Sequence, residues 1–352
     1  MSKLKWGLAA GLAVAGALAL SRRPPADLSG QVALVTGGSR GLGLLIAREL
    51  ALQGCRVAIC ARDAEELDRA RQDLEDRGAE VLALPCDISK RLQVERMITE
   101  IVARFGRLDL VVNNAGIIQV GPLASLTAQD FEEAMAINFF GSLYTTFAAL
   151  PHLRRTGGGR IVNIDSIGGR VSVPHMLPYN CAKFALRGFS EGLRAELKRE
   201  GILVTTVMPG LMRTGSPLHA QFKGDRDLEY AWFSLADNLK STSIDAGIAA
   251  RRIVTAARRG EAELTLTWQA RLLGTAHDLF PTLTMAALDL AERLLPKGEG
   301  LPRASVEGRD LGPPLVPEGV ARRLDDEARR YNQLAPEEPS PVWAETVEER
   351  RR

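Results

Sequence analysis

The stretch IVNIDSIGGRVSVPHMLPYNCAK, residues 161–183, carries the pattern around which the chain is organised. Its β-branched beginning is typical of a buried strand, its glycine pair indicates a turn, and a helix is predicted to open near Pro178. Tyr179 and Lys183 are four residues apart, so their side chains share one helix face. A neighbouring ammonium favours the phenolate and lowers the pKa of a tyrosine toward the range of an acid–base catalyst. Ser166 adds a hydroxyl just past the strand; a surface helix whose Tyr and Lys merely pack is the alternative.

A glycine-rich loop, TGGSRGLG at residues 36–43, follows an apolar run and precedes a predicted helix that starts at Leu44. Such a turn lets backbone N–H groups approach a pyrophosphate at the helix N-terminus. The spacing is G-x-x-x-G-x-G, and the commoner G-x-G-x-x-G does not fit because Ile46 takes the place of the third glycine. An ordinary glycine-rich turn is the alternative interpretation.

Strands and helices alternate along the main part of the chain. Strands are predicted at 32–35, 56–60, 81–84, 108–113, 161–164, 203–207 and 263–267, and helices at 44–53, 64–77, 92–105, 127–150, 179–199 and 244–258. This order predicts an α/β fold, a doubly wound parallel sheet of about seven strands with helices on both faces. Ligands of such sheets bind at the carboxyl ends of the strands, where all the motifs singled out fall.

The composition of the 352 residues is that of an ordinary globular protein, with 45% hydrophobic and 25% charged residues. The net charge of +2 gives no reason to expect nucleic acid as a partner. The four cysteines, Cys55, Cys60, Cys86 and Cys181, form no CxxC pair, so no metal site and no disulfide framework is predicted. Buried free thiols, with Cys181 as core filler, favour a reducing compartment.

Cofactor choice is predicted from the end of the second strand. An Asp or Glu there would bind the ribose 2′-hydroxyl of NAD, whereas this chain has Ala61 followed by Arg62. Arg62 and Arg40 together could hold a 2′-phosphate between guanidinium groups, so NADP(H) is favoured over NAD(H). Two solvated arginines are the alternative. Asp63 is expected to cap the next helix.

Together these motifs resemble the short-chain dehydrogenase/reductase family. The resemblance covers about residues 28–267 and implies a Rossmann-type fold. The residues that carry it are Thr36, Gly37, Gly41, Gly43, Asn113, Asn114, Ala115, Gly116, Asn138, Ser166, Tyr179, Lys183, Pro209 and Gly210.

The resemblance implies four catalytic residues: Tyr179 as general acid/base, Ser166 as a hydrogen-bond partner of the substrate oxygen, Lys183 on the nicotinamide ribose, and Asn138 holding a relay water. The cofactor residues it implies, with Arg40 and Arg62 from the argument above, are Gly37, Ser39, Arg40, Gly41, Leu42, Gly43, Arg62, Asp87, Asn114, Ala115, Gly116, Tyr179, Lys183, Pro209, Gly210 and Thr214. It also implies a possible homodimer or homotetramer.

Simpler roles stay open for three residues near this site. Asn138 could bond only a backbone carbonyl, His175 could be a pocket wall without acid–base duty, and Asp165 is expected to face away from Ser166.

The substrate pocket is expected to be apolar, because residues 117–118, 175–177 and 212–233 supply Met, Leu, Phe and Trp. We therefore predict a reductase or dehydrogenase acting on a steroid-like, retinoid-like or acyl carbonyl or alcohol. An NAD-dependent alcohol dehydrogenase and a non-catalytic NADP-binding regulatory protein are the rivals. The apolar stretch 271–295, with Pro281 near its middle, could flank the entrance or touch a bilayer.

Both ends of the chain differ from the central part. Leu4–Leu20 is apolar and flanked by basic residues, which predicts a retained membrane anchor; a cleaved signal ending near the Ala17-Leu18-Ala19 motif and a soluble helix are the alternatives. The predicted division is an anchor and linker at 1–25, a catalytic domain at 26–295, and a Pro- and charge-rich tail at 296–352 that packs loosely or not at all. A domain built for NADP(H) is expected on the cytoplasmic face of the membrane.

Overall fold

The computed structural model describes residues 24–239, 241–297, 304–311 and 315–335. Seven strands form one parallel sheet: Val32–Thr36 (β1), Arg56–Ala61 (β2), Val81–Pro85 (β3), Leu110–Asn113 (β4), Gly159–Ile164 (β5), Ile202–Met208 (β6) and Glu263–Thr265 (β7). Their order across the sheet is β7-β6-β5-β4-β1-β2-β3, and all six pairings are parallel. The predicted doubly wound, Rossmann-type sheet is thereby confirmed.

Helices cover both faces of the sheet. The helices of the described residues are Gly41–Leu52 (α1), Ala64–Asp76 (α2), Arg91–Phe105 (α3), Ala128–Ala134 (α4), Gly141–Arg155 (α5), Leu177–Leu197 (α6), Arg226–Asn238 (α7), Ala246–Arg259 (α8), Trp268–Leu279 (α9), Pro281–Glu292 (α10) and Glu318–Arg330 (α11). One core packs α1, α2 and α8 against the sheet, and the other packs α3, α5 and α6 against the opposite face. Since both faces are covered, the central strands are mostly apolar, and all five residues of β1 are buried.

Three local expectations differ from the structure. The helix predicted at 127–150 is interrupted by a π-helical turn, Met135–Phe140, between α4 and α5. The apolar stretch 271–295 forms two helices, because Pro281 lacks an N–H and starts a new helix. Cys181 is exposed on α6 rather than buried, while the other three cysteines are buried.

The C-terminal tail packs on the domain, contrary to the loose packing we expected. Val306–Glu307 pairs with Gln221–Phe222, which pairs in turn with Gln119–Val120, and these segments form a small second sheet. Helix α11 buries Ala321, Leu324 and Ala328. The packing of α11 was not evident from its charge-rich sequence, because three apolar positions on one helix face suffice to dock the helix.

The predicted membrane anchor, Leu4–Leu20, lies outside the described residues. Among the residues that are described, no helix is both long enough and apolar enough to cross a bilayer. Helices α9 and α10 nevertheless expose large apolar side chains, among them Trp268, Leu283 and Leu290.

Candidate active site

One cavity of about 750 Å³ opens at the carboxyl ends of the strands. It lies beside the point where the strand order reverses between β1 and β4, which is where parallel α/β sheets bind ligands. All the predicted site residues line it: Gly37, Ser39, Arg40, Gly41, Leu42, Gly43, Arg62, Asp87, Asn114, Ala115, Gly116, Asn138, Ser166, Tyr179, Lys183, Pro209, Gly210 and Thr214. The structure thus brings together side chains that are almost 180 residues apart in sequence.

The glycine-rich loop connects β1 to α1 in a turn that only glycines permit. Gly37 has a φ of +63°, and a Cβ atom on it would lie 2.8 Å from the Cα of Ala115. A Cβ atom on Gly43 would lie 2.0 Å from the carbonyl oxygen of Gly37. Helix α1 starts at Gly41, three residues earlier than predicted, and Arg40 provides no side-chain cap. The N–H of Gly41 donates to the Tyr331 carbonyl at 2.9 Å. The N–H groups of Leu42 and Gly43, in the same first turn, lie at the cavity end that a diphosphate would occupy.

Asn114 fixes this loop against β4. Its side-chain amide donates to the carbonyl oxygens of Thr36 at 3.0 Å and Gly37 at 3.1 Å. The Thr36 hydroxyl accepts from the backbone N–H groups of Asn114 and Ala115 at 3.0 and 3.1 Å. The loop is thus preorganised by the residues that follow β4, and the cradle fits a dinucleotide.

The two arginines predicted to bind a 2′-phosphate differ in their surroundings. Arg62 is exposed at the edge of the cavity. The guanidinium of Arg40 instead lies 2.6 Å from the buried carboxylate of Glu66, which comes from α2. The Ser39 hydroxyl also donates to Glu66, at 3.3 Å. Glu66 was not predicted from the sequence, because it follows the usual acidic position after β2 by five residues. Asp63 caps α2 by accepting from the N–H of Glu66, as predicted.

The Tyr179, Lys183 and Ser166 side chains meet at the other half of the cavity. The Lys183 ammonium lies 5.5 Å from the centre of the Tyr179 ring and donates to the carbonyl oxygen of Ile164 at 2.8 Å. Ser166 hydrogen-bonds Tyr179 and also accepts from the N–H of Gly168 at 3.0 Å. These contacts fix the two hydroxyl groups beside each other.

Burial controls the protonation of this pair. It raises the pKa of Tyr179 well above its ordinary value, although the hydrogen bond from Ser166 acts in the opposite direction. Burial also lowers the pKa of Lys183 to about 8, against the charge of Asp165. The pKa of Tyr179 is thus raised rather than lowered as expected, because burial dominates and the charges of Asp165 and Asp237 act in the same direction. The neutral phenol is the form that the structure favours.

Asn138 lies in the π-helical turn and is fully buried. Its amide oxygen accepts from the N–H of Ile117 at 3.0 Å, and its amide nitrogen donates to the Ile117 carbonyl at 3.1 Å. A Cβ atom on Gly116 would lie 2.5 Å from the Asn138 oxygen and 3.8 Å from the Lys183 ammonium. Asn138 therefore bonds the backbone, as in the simpler interpretation, and also borders Lys183. π-Helical turns of this kind are frequent at functional sites.

A buried polar network connects the strands that carry these groups. Asn113 donates to the side chains of Asn163 at 2.8 Å and Thr146 at 3.1 Å. Asn163 donates to Ser190 at 2.9 Å, and Ser190 shares a 2.7 Å hydrogen bond with Thr206. Buried polar groups bonded in this way set a single arrangement of β4, β5, β6 and α6. The positions of Ser166 and Tyr179 follow from that arrangement.

The remaining wall of the cavity is mostly apolar. Its lining side chains include Ile118, Val173, Met176, Leu211, Trp232 and Phe233. A hydrogen bond to Glu229 fixes the Trp232 ring. The indole N–H donates to one Glu229 oxygen at 2.6 Å, and the other Glu229 oxygen lies 2.7 Å from Nδ1 of His175. Glu229 and His175 are both buried, and His175 adopts a left-handed φ of +63°. His175 is thus a support of the pocket wall, and Glu229 is a residue that no sequence pattern indicated.

Two buried carboxyl groups also line the cavity contrary to expectation: Asp165 was predicted to face away, and Asp237 was not predicted as a site residue. Asp165 was expected to face away, but it lines the cavity and neither of its oxygens has a hydrogen-bond partner among the described residues. Regular β5 ends at Ile164, and the N–H of Asp165 still donates to the Val207 carbonyl of β6 at 2.8 Å. Asp237, on α7, accepts from the Ser216 hydroxyl at 2.8 Å. Burial raises the pKa of Asp165 and of Asp237 to about 7.

The fold and the cavity are those of a dinucleotide-binding α/β protein, and comparison with known proteins gives the family. The model of the short chain dehydrogenase family matches residues 31–221, more than half of the chain. The protein therefore belongs to the short-chain dehydrogenase/reductase family.

Relatives in this family carry several names. A dehydrogenase/reductase SDR family protein 7-like from Anopheles gambiae is 37% identical over 205 residues, which are 56% of this chain and 64% of that protein. The Drosophila melanogaster protein of the same name is covered to 61%, so the chain spans less than two thirds of both relatives. The putative oxidoreductase SadH of Mycobacterium tuberculosis is 32% identical over 247 residues, or 70% of this chain and 89% of SadH.

A solved structure shows the same fold. Gluconate 5-dehydrogenase from Burkholderia cenocepacia, in complex with NADP and tartrate, superposes with a TM-score of 0.61 at 29% identity. The superposition covers 70% of this chain and 97% of that one.

Proposed function

We propose that the protein is an NADP(H)-dependent oxidoreductase that interconverts a carbonyl and an alcohol on a bulky apolar substrate, with Tyr179 as the general acid and base. The observation that carries this proposal is the shared cavity, which has a phosphate cradle at one end and the Tyr179, Ser166 and Lys183 side chains at the other. The NADP-bound neighbour and a putative ketoacyl reductase of Streptomyces coelicolor, 38% identical over 186 residues, support it.

The chain's own residues supply proton transfer and orientation. Bound nicotinamide gives or accepts a hydride at the substrate carbon. In reduction, the neutral phenol of Tyr179 donates its proton to the carbonyl oxygen, and the Ser166 hydroxyl holds that same oxygen. In oxidation, Tyr179 takes the alcohol proton back. Lys183 is suited to contact the cofactor ribose, and Asn138 beside it to hold a relay water.

The substrate half favours an apolar molecule with few polar groups. Trp232, Phe233 and Met176 provide a broad apolar surface, and Asp237 with Ser216 provides a polar position beside it. This suits a steroid-like, retinoid-like or acyl carbonyl better than a sugar, which would need many hydrogen-bond partners.

An NAD(H)-dependent enzyme is the second candidate, and Glu66 is the observation that favours it. This carboxylate already binds Arg40, and its negative charge lies close to where a 2′-phosphate would sit. Ala61 and the exposed Arg62 favour NADP(H) instead, because neither repels a phosphate.

An activity assay decides among these possibilities. Purified protein is tested against panels of apolar ketones and alcohols with NADPH, NADH, NADP⁺ and NAD⁺. We expect turnover of apolar substrates with the NADP couple at lower concentrations than with the NAD couple. Equal use of both cofactors would favour the second candidate. Tight cofactor binding without turnover of any substrate would favour a non-catalytic regulatory protein.

A further inference from the structure

The last described segment of the tail reaches the rim of the nucleotide half of the cavity. Helix α11 is docked by Leu324 and Ala328, which pack with Leu218 and Leu334. Residues 331–334, which we call the strap, then continue from the end of α11 along the mouth of the cavity. Tyr331, Gln333 and Leu334 are buried, although they lie in a charge-rich tail.

The first half of the strap binds the glycine-rich loop and α2. The Tyr331 carbonyl accepts from the backbone N–H of Gly41 at 2.9 Å. The Asn332 amide donates to the carbonyl oxygens of Ser39 at 2.8 Å and Glu66 at 2.9 Å, and its oxygen accepts from Arg69 at 2.9 Å. Asn332 has a left-handed φ of +58°, a conformation that asparagine tolerates better than most residues. Every hydrogen-bonding atom of its side chain is therefore used on the cofactor loop or its neighbour.

The second half of the strap binds the opposite rim. The Gln333 amide nitrogen donates to the Thr214 carbonyl, and the Gln333 carbonyl lies 3.0 Å from Nε2 of His219. The same amide nitrogen would be 3.1 Å from a Cβ atom on Gly41. Gln333 therefore bridges the glycine-rich loop and the segment after β6, and it lines the cavity between them.

We propose that the strap is part of the cofactor site: it closes over the diphosphate half of a bound dinucleotide, and Gln333 faces the phosphate oxygens. The cavity extends continuously from Arg62 to Trp232 with the strap in place, so the strap forms a wall rather than filling the binding space. Gln333 suits this position because a neutral amide donates hydrogen bonds without adding negative charge beside phosphates. A dinucleotide enclosed in this way leaves only when the strap lifts, so the strap slows release. This inference rests on the proposed function.

The rate of NADPH release tests the proposal. In a stopped-flow instrument, excess NADP⁺ displaces NADPH, and NADPH fluorescence reports its release. Gln333→Ala should speed release about two- to tenfold, the range expected for one hydrogen bond. Gln333→Glu should speed it further, because a carboxylate repels the diphosphate. Asp326→Asn is the matched control, since Asp326 is exposed on α11 and is outside the cavity; its release rate should equal that of the unchanged protein.

Limited trypsin digestion gives a second readout that does not depend on variants. Trypsin cleaves after Arg329 and Arg330, directly before the strap, and this requires the strap to detach. Saturating NADPH should slow cleavage at these two bonds in the full-length protein, as followed by mass spectrometry. Faster cleavage with NADPH, or slower release from Gln333→Ala, would mean that the strap competes with the cofactor, and would overturn the proposal.

Failure of this inference is distinguishable from failure of the proposed function. If the unchanged protein binds NADPH but both Gln333 variants release it at the unchanged rate, the strap has no role in cofactor binding and only this inference is wrong. If the unchanged protein binds neither NADPH nor NADH, the proposed function is wrong, and the strap proposal is wrong with it.

Discussion

Arg40 and Glu66 form an ion pair of 2.6 Å at the edge of the nucleotide half of the cavity. The carboxylate is buried, whereas the guanidinium is partly exposed. Because Glu66 already balances its charge, Arg40 is less available to a phosphate than the sequence alone predicts. Preference for NADP(H) should therefore depend mainly on Arg62, and Glu66 should weaken it.

Cofactor preference provides the first prediction. Arg62→Ala should weaken NADPH binding about tenfold or more with little effect on NADH, because one charge-assisted hydrogen bond is worth about 1.5–3 kcal/mol. Glu66→Gln should have the opposite effect, since it removes the negative charge beside the phosphate. Dissociation constants from fluorescence titration with both cofactors provide the measurement. If Arg62→Ala has the same ratio of NADPH to NADH dissociation constants as the unchanged protein, a role for Arg62 is excluded.

Proton transfer provides the second prediction. Tyr179→Phe should lower kcat by about 10²–10⁴-fold while NADPH binding changes little, because it removes one hydroxyl from the cavity. Lys183→Ala should lower both kcat and cofactor affinity, since Lys183 is proposed to contact the ribose. Steady-state kinetics and titration of each variant separate the two effects. Near-normal turnover by Tyr179→Phe would exclude the acid–base assignment.

The apolar wall provides the third prediction. Trp232→Ala should raise KM for bulky apolar substrates more than for short-chain ketones, because it removes a large face of the pocket. Trp232→Phe is the matched control, since it keeps an aromatic face and loses only the indole hydrogen bond to Glu229. The comparison requires kcat/KM for a series of ketones of increasing size. An equal loss of kcat/KM for every ketone in the series would mean that the substrate does not contact Trp232.

The buried Asp237 carboxyl provides a prediction of pH dependence. Burial raises its pKa from 3.8 to about 7, so the native state binds this proton more tightly than the unfolded state. Its contribution to the free energy of unfolding is therefore complete below about pH 3.8 and is lost as the pH rises to about 7. Asp237→Asn cannot ionise, so its stability relative to the unchanged protein should rise over this range.

The size of this effect has an upper limit of about 4 kcal/mol, at about 1.4 kcal/mol per pKa unit. Denaturant unfolding at several pH values between 4.5 and 8 measures it. Asp326→Asn, at an exposed position, should show no such trend. A stability difference that is constant with pH would mean that Asp237 titrates at its ordinary pKa in the folded protein.

The N-terminal anchor remains a prediction from sequence. Deletion of residues 2–25 should release an active protein from membranes into the soluble fraction. The described fold begins its backbone contacts at Ala26, whose N–H donates to the Arg258 carbonyl at 3.0 Å, so the deletion spares them. Fractionation and N-terminal sequencing of the full-length and shortened proteins provide the measurement. A full-length protein that is soluble, or that starts near Leu20, would contradict a retained anchor.

The sequence predicted those features that depend on short spacings. Strand and helix alternation gave the parallel sheet, and the glycine spacing gave the loop before α1. Tyr179 and Lys183 share a helix face because four residues make about one turn. Each of these follows from local chain geometry, so no knowledge of distant contacts was needed.

The features that sequence analysis missed depend on tertiary packing. Glu66 reaches Arg40 from a different helix, and Glu229 on α7 reaches His175 across 54 residues of sequence. The pKa of Tyr179 depends on how completely the cavity walls exclude water, which no spacing reveals. Gln333 joins the cavity from more than a hundred residues beyond Thr214, through a helix that was expected to pack loosely.

Val306–Glu307 pairs with Gln221–Phe222, so the tail is part of the folded domain. This affects the order in which parts of the protein fold during synthesis. A nascent chain that has emerged as far as residue 297 contains every strand of the central sheet and every predicted catalytic residue. Its cavity still lacks the wall that residues 331–334 provide, so the central sheet can form before that wall is in place. We therefore expect premature stop codons late in the reading frame to produce proteins that fold but retain cofactor poorly.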